Sequence, residues 1–263
     1  VHYIECLQSD AAPDSDADSG WHVDGVGRRP QSLGICSMVC TASAGKVGVD
    51  LDSHAHLDGP TAVPYHRWSA DADFVVGKES DVQPVRFGGF VADVDLWDML
   101  LFGFSLNEST HTDPQHRFLL AHTFTSFAHS GQTFSSVRGN AWSVVVGVGI
   151  ADYAALLPKY GIGITPHTAL QGTLSVASGR ISYVFGLTGP CYSVDTASSA
   201  SMVSVHIACK LAKTECASSI GAGINLVLNP ATFAILATSR MMAADGRCKT
   251  LDQSADVYVR SET

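Results

Sequence analysis

The segment Gly189–Ala200, GPCYSVDTASSA, has the layout of a nucleophile's seat. Gly189-Pro190 reads as a turn, Cys191–Val194 as a short buried strand, and a helix then runs from about Ser198 to Lys213. A side chain at such a helix start faces unpaired backbone N–H groups and the positive end of the helix dipole. That setting lowers a thiol's pKa and offers amide donors to an oxyanion. Ser198 and Ser199 hold the position here. Serine is also a good helix cap, so spacing alone favours capping as the role of both.

Other chemical patterns are weaker. His54 and His56 have the spacing of a metal-binding pair at a strand end. The preceding GVDLDS is a poor strand and no second ligand cluster follows, so a surface loop is expected and no metal site. Cys36 and Cys40 are four apart, without a CxxC pair anywhere. Gly147-Val148-Gly149 follows a strand pattern, but lacks the third glycine and the acidic partner of a dinucleotide turn. No G-x-S-x-G elbow occurs, which argues against an ordinary serine hydrolase. His206 is expected as a core histidine, and Tyr183 and Phe185 as core aromatics.

These positions need elements to hold them. Residues 1–32 are polar, with Asp10, Asp14, Asp16 and Asp18 among Ala, Ser and Gly, and read as an acidic flexible segment. The apolar text from Leu33 to about Val49 predicts a short buried strand and a Gly-rich connection. Residues 50–112 read as loop-rich. Asp113-Pro114 has the cap-plus-proline signature of a helix start, with Gly131 as its stop. Trp142–Gly149, WSVVVGVG, predicts a strand buried on both faces, followed by a helical piece over Ala151–Leu157. The helix from Ser198 is apolar nearly all round, through Met202, Val203, Val205, Ile207 and Leu211, and is expected to be central. Ala217–Leu228 predicts another buried strand, and Asn229-Pro230 starts a helix running to about Ser239. Strands alternating with helices imply a layered, largely parallel α/β fold.

Composition narrows the function classes. The 263 residues are 46% apolar and 16% charged, which suits a compact domain with a sizeable core. A net charge of −9 and no basic run longer than Arg28-Arg29 argue against nucleic-acid and anionic-membrane partners. No apolar stretch reaches bilayer-spanning length. Seven cysteines, an odd number, fit a reduced, cytoplasmic protein. The chain starts at Val1 without Met and stops at Thr263, so a piece of a longer protein is expected.

Six segments, in order, resemble the β-ketoacyl synthase (ketosynthase) family of polyketide and fatty-acid synthases. Val63–Trp68, VPYHRW, resembles V-P-x-x-R-W. Arg86–Leu96, RFGGFVADVDL, resembles R-[FY]-G-G-F-x-x-D-V-D. Asp113–Leu120, DPQHRFLL, resembles D-P-Q-Q-R-L-L-L. Gly179–Pro190 resembles the lead-in to the nucleophile. Val194–Ala200, VDTASSA, resembles the active-site Val-Asp-Thr-Ala-Cys-Ser-Ser. Asp245–Arg260 resembles D-G-R-C-K-[TP]-F-D-x-x-A-D-G-[YF]-V-R.

The resemblance implies a thiolase-like α/β fold, αβαβα in layers and dimeric, of which residues 33–263 supply the N-terminal half. It places Ser198 at the acyl-accepting cysteine and Phe233 at an acyl-pocket residue. It implies acyl and malonyl thioesters delivered on the phosphopantetheine of an acyl carrier protein, with no other bound cofactor. The departures are as informative. Serine replaces the cysteine, and a hydroxyl needs a general base that a thiol can do without. The family's two later histidines lie beyond Thr263. Ser261 and Val257 stand where glycines are usual, and the opening R-F-P-G is missing near Cys40. The expectation is therefore a ketosynthase-type acyltransferase domain impaired in condensation. The alternatives are a structural, dimerising pseudo-ketosynthase, or an acyl-holding or decarboxylating domain.

Overall fold

The computed structural model describes residues 4–9, 33–42, 45–47, 59–70, 85–163, 165–166 and 168–263. Six strands form the main sheet: β1 (Ile4–Ser9), β2 (Leu33–Ala42), β3 (Gly45–Val47), β6 (Ser143–Gly147), β7 (Cys191–Val194) and β8 (Ser218–Gly223). Their order is β3-β2-β1-β8-β6-β7. β8, β6 and β7 run parallel. β1 is antiparallel to both β8 and β2, with an irregularity between Cys6 and Leu7. A separate pair joins β4 (Thr61–Ala62) to β5 (Phe87–Gly88).

β6 shows why the sheet is layered. All five of its residues are buried. Successive side chains point to opposite faces. Val144 and Val146 face one core, with Leu120, Phe127, Ile181 and Phe185. Those residues come from α2 (Pro114–His129) and α6 (Val176–Phe185). Val145 faces the other core, with Ala208, Leu211 and Ala212 of α7 (Ala200–Thr214). The sheet is thus sandwiched between helices, as a continuous Val run requires.

The cap signatures mark the helix ends well. The Asp113 carboxylate accepts from the Gln115 N–H at the start of α2, with Pro114 in the first turn, and Gly131 has φ 72° just past its end. Asn229 caps α8 (Pro230–Thr238) in the same way. α4 (Tyr153–Leu156) lies in the helical piece expected over Ala151–Leu157.

Several expectations are corrected. β1 falls inside the stretch 1–32 read as a flexible acidic segment; its partners on both sides hold it in the sheet, while residues 10–32 lie outside the described ones. The loop-rich stretch contains α1 (Leu106–His111), which the capping box of Ser105 and Glu108 starts. α6 was hidden by its polar serines and ends at Gly186, φ 69°. β7 is not buried, because it ends the sheet: Cys191 and Tyr192 are exposed. α7 buries only the stripe that meets the sheet, leaving Met202 77% exposed and His206 in solvent. Tyr183 points away from the core at 87% exposure, whereas Phe185, two residues on, is buried. Of the cysteines with described side chains, Cys36, Cys191 and Cys248 are exposed and Cys216 is buried.

Beyond the sheet, the chain from Tyr258 to Thr263 is stitched in place. Gly89 N–H donates to the Arg260 carbonyl and Glu262 N–H to the Gly89 carbonyl; Asn225 and Thr263 exchange both backbone bonds. Glu262, fully buried, accepts from Arg67 through both oxygens at 2.8 and 2.9 Å. It also accepts from the backbone N–H of Val91 and Val227. Arg67 in turn donates to the carbonyls of those same two residues. Removing one partner of a buried ion pair strands the other's charge. Arg67→Met is therefore expected to destabilise the fold by about 3–5 kcal/mol, read as a lower urea midpoint with an unchanged slope.

Candidate functional site

The site lies where β6, β7 and β8 end together. Gly147 is level with Val194 on one side and Gly223 on the other. Carboxyl ends of parallel strands are where open α/β sheets place ligands. A cavity of about 540 Å³ opens here, lined by Gly147–Ile150, Asp195, Ser198, Ile224, Leu236 and Tyr258–Ser261, among others.

α7 reaches this point because two glycines let it. A Cβ on Gly147 would lie 2.5 Å from the Ala200 backbone, and one on Gly223 would lie 2.2 Å from the Ser201 Cβ. Either would push the helix start off the strands. Gly149 likewise leaves room for the Asp195 carboxylate, 2.9 Å from where its Cβ would be. The Gly147–Gly149 run set aside as a dinucleotide turn is thus a wall of this cavity.

Between β7 and α7 the chain makes a tight turn over Ala197–Ser199. Ala197 sits at φ 53°, unusual for a residue with a side chain. Its N–H donates to the Asp195 carboxylate at 2.9 Å, which holds it there. Ser198 follows, exposed and on the cavity wall. Neither serine caps α7 through its side chain. Ser199 turns its hydroxyl back to Thr196, and the helix start has no side-chain cap bond. Among the described residues Ser198 Oγ has no recorded partner.

Phe233 is placed elsewhere. It is fully buried, packed edge-on to Trp68 at 5.4 Å and stacked on Phe90 at 6.4 Å. It is not among the cavity's lining residues; Leu236, one turn along α8, is. Phe233 touches the site through Arg260, whose guanidinium carbon lies 5.6 Å from its ring. Sequence reasoning missed Asp195, Tyr258 and Arg260 as wall residues, although all three stand in the quoted motif runs.

Among the described residues the titratable side chains lining the cavity are Asp195, Tyr258 and Arg260, and none is a histidine. No group of three His, Cys, Asp or Glu residues suited to a metal occurs among the described residues. His54 and His56 lie outside those residues, and so does the side chain of Cys40. No helix among them is long and apolar enough to cross a membrane.

The comparisons agree with this geometry. Residues 54–263 match the family model for the β-ketoacyl synthase N-terminal domain. The chain belongs to the β-ketoacyl synthase family. It is 39% identical to polyketide synthase GfsA of Streptomyces halstedii over 76% of its own length and 3% of that protein's. With the non-reducing polyketide synthase pkdA of Emericella nidulans it shares 33% identity over 88% of the chain and 9% of the relative. It therefore spans a small part of these relatives. A ketosynthase domain from the oxazolomycin system of Streptomyces albus shares its fold at TM-score 0.68 and 24% identity, covering 77% of this chain and 35% of that one. The ketosynthase from module 6 of the Bacillus subtilis bacillaene synthase aligns at TM-score 0.66 and 26% identity, over 77% and 33%. The fold is accordingly thiolase-like, and this chain carries its N-terminal portion.

The start of α2 braces the ketosynthase cavity from behind. The Gln115 side chain donates to the Ile150 carbonyl and accepts from the Leu226 N–H. Beside it, one Asp113 oxygen is buried without a partner, and burial pushes its pKa up to about 6. An unfolded Asp ionises near 3.8, so ionised Asp113 weakens the fold above about pH 6, and the loss is recovered as pH falls toward that lower value. Asp113→Asn keeps a capping oxygen and removes the charge. It is expected to stabilise the chain at about pH 7.5 by on the order of 2–3 kcal/mol, the gain vanishing near about pH 4. Urea unfolding across that range measures it.

Proposed function

We propose that this chain is a ketosynthase-type acyl-transfer domain of a polyketide synthase whose pocket accepts an acyl thioester but whose condensing chemistry is impaired. The carrying observation is Ser198, uncapped and on the cavity wall at the start of α7. In this reading Ser198 holds the acyl-accepting position. The α7 dipole and nearby backbone N–H groups favour negative charge there. They contribute about 0.3–2 kcal/mol, too little to ionise a hydroxyl. A serine nucleophile needs a base, and no histidine lines the cavity among the described residues. The substrates are acyl and malonyl thioesters on the phosphopantetheine arm of an acyl carrier protein, and a cavity of about 540 Å³ suits an acyl group with the end of that arm. Phe233 acts from behind, as the ring under Arg260, rather than by lining the pocket.

Mass spectrometry of the intact chain after incubation with an acyl carrier or coenzyme A thioester tests this. Ser198→Cys is expected to gain the acyl mass and the native chain to gain little or none. Equal labelling of the native chain at Ser198 would make it an acyl-holding domain instead. Labelling of neither would leave the structural reading.

A dimerising role has its own support. Among the described residues β7 pairs only with β6, so its other edge is open. Tyr192 on that strand is 47% exposed, and Tyr183 and Met202 are exposed on the neighbouring helices. An open, partly apolar strand edge is a ready template for pairing with a second copy. A charge on the edge blocks that pairing. Tyr192→Lys is expected to turn a dimer into a monomer by light scattering; a wild-type monomer would refute the dimer.

A further inference from the structure

Among the described residues, Arg260 is the one cation lining the Ser198 cavity. It is 5% exposed. Its Nη1 and Nη2 atoms are buried and have no hydrogen-bond partner. The carboxylates that act on it are already committed. Glu262 is bonded to Arg67 and to the N–H groups of Val91 and Val227. Asp152 accepts from Leu228 N–H, Asn229 N–H and the Thr232 hydroxyl. The Phe233 ring offers the guanidinium a cation–π contact and no acceptor. Leaving charged donors buried and unmet is costly, and a methionine would fill a similar volume without that cost. The unmet pair of N–H groups is a fork of the shape that takes two oxygens of one anion.

We propose that Arg260 recognises an oxyanion on the thioester that enters this cavity, either the terminal carboxylate of a malonyl-type acyl group or the phosphate of the pantetheine arm. The inference rests on reading the cavity as an acyl-thioester site. Asp195, on the wall beside Ser198, repels an anion, so the two side chains together give the cavity a polarity. An anionic thioester is drawn toward Arg260 and away from the Asp195 carboxylate. In this role Arg260 sets which thioester is held and in which orientation.

Calorimetric titration of the chain with two matched pairs of probes tests this. Malonyl and butyryl N-acetylcysteamine thioesters differ in the carboxylate and carry no phosphate. Phosphopantetheine and pantetheine differ in the phosphate and carry no acyl group. One anionic probe is expected to bind about tenfold tighter than its neutral counterpart. The pair that shows the preference identifies the source of the oxyanion. Arg260→Met is expected to bring that ratio to within about twofold, with Arg260→Gln as the second variant if the first does not fold. Arg260→Lys is expected to keep part of the preference. Equal binding of both members of each pair overturns the proposal while leaving the acyl site standing. A preference that survives the loss of Arg260 also overturns it. If none of the four probes binds, the acyl-thioester reading falls as well.

Discussion

The Glu262 carboxylate is the point on which the site's far wall depends. It has no contact with solvent, and four hydrogen bonds from three other segments converge on it. Those segments lie around Arg67, Val91 and Val227, up to 195 positions away. A carboxylate this deeply buried is tolerable only with a cation in contact and its lone pairs filled. Arg67 supplies the charge, and the backbones at Val91 and Val227 supply the N–H groups. The pair adds little stability over a well-packed apolar substitute, but it accepts one arrangement of the chain and few others. It fixes the register of residues 258–263, most of which line the same cavity as Ser198. The VPYHRW and RFGGF motifs are remote in sequence from Ser198, and through Glu262 they support another part of its cavity wall.

On the near side the constraint is steric. α7 lies with its first turn almost in contact with the ends of β6 and β8, and Gly147 and Gly223 remove the atoms that would prevent it. The turn that joins β7 to this helix has little room, so Ala197 takes a left-handed backbone held by Asp195. Such strain survives only where surrounding contacts over-determine it. Here the sheet pairing of β7 to β6 and the packing of α7 on Val145 do so from both sides. Ser198 is presented outward by that forced geometry rather than by any bond of its own.

Much of this was legible in the sequence, and the exceptions share a cause. Asp113-Pro114, Gly131 and Asn229-Pro230 mark their helix ends because capping is local chemistry, settled within a few residues. The all-valine centre of β6 likewise announces a strand covered on both faces. Residues 191–194 have the same apolar look, yet β7 is the last strand of the sheet and Tyr192 is half exposed. Met202, His206 and Tyr183 fail in the same way. Their types say what could be buried, but which face meets the sheet depends on partners far along the chain. Phe233 is named from the resemblance alone; its ring packs in the Trp68–Phe90 cluster, with Arg260 and Leu236 between it and the cavity. Glycines 147, 149 and 223 carry a signal in the sequence itself, since a strand end rich in glycine marks close backbone approach.

The fold therefore separates two things that a working condensing enzyme combines. Shape, strain and electrostatic polarity come from the backbone and from buried pairs, and none of them involves the atom that distinguishes serine from cysteine. Reactivity comes from one side chain and from whatever base can reach it. A thiol at this turn would be activated by the helix start itself, because it needs to lose only a proton of modest acidity. A hydroxyl at the same place gains the same field and remains protonated. Asp195 is not free to make up the difference, because its carboxylate is engaged in holding Ala197. The proposed pocket, which binds its guest with the condensing step impaired, draws on this difference between serine and cysteine. In such a pocket the groups that matter are those that choose and orient the guest, the part proposed for Arg260 with Asp195.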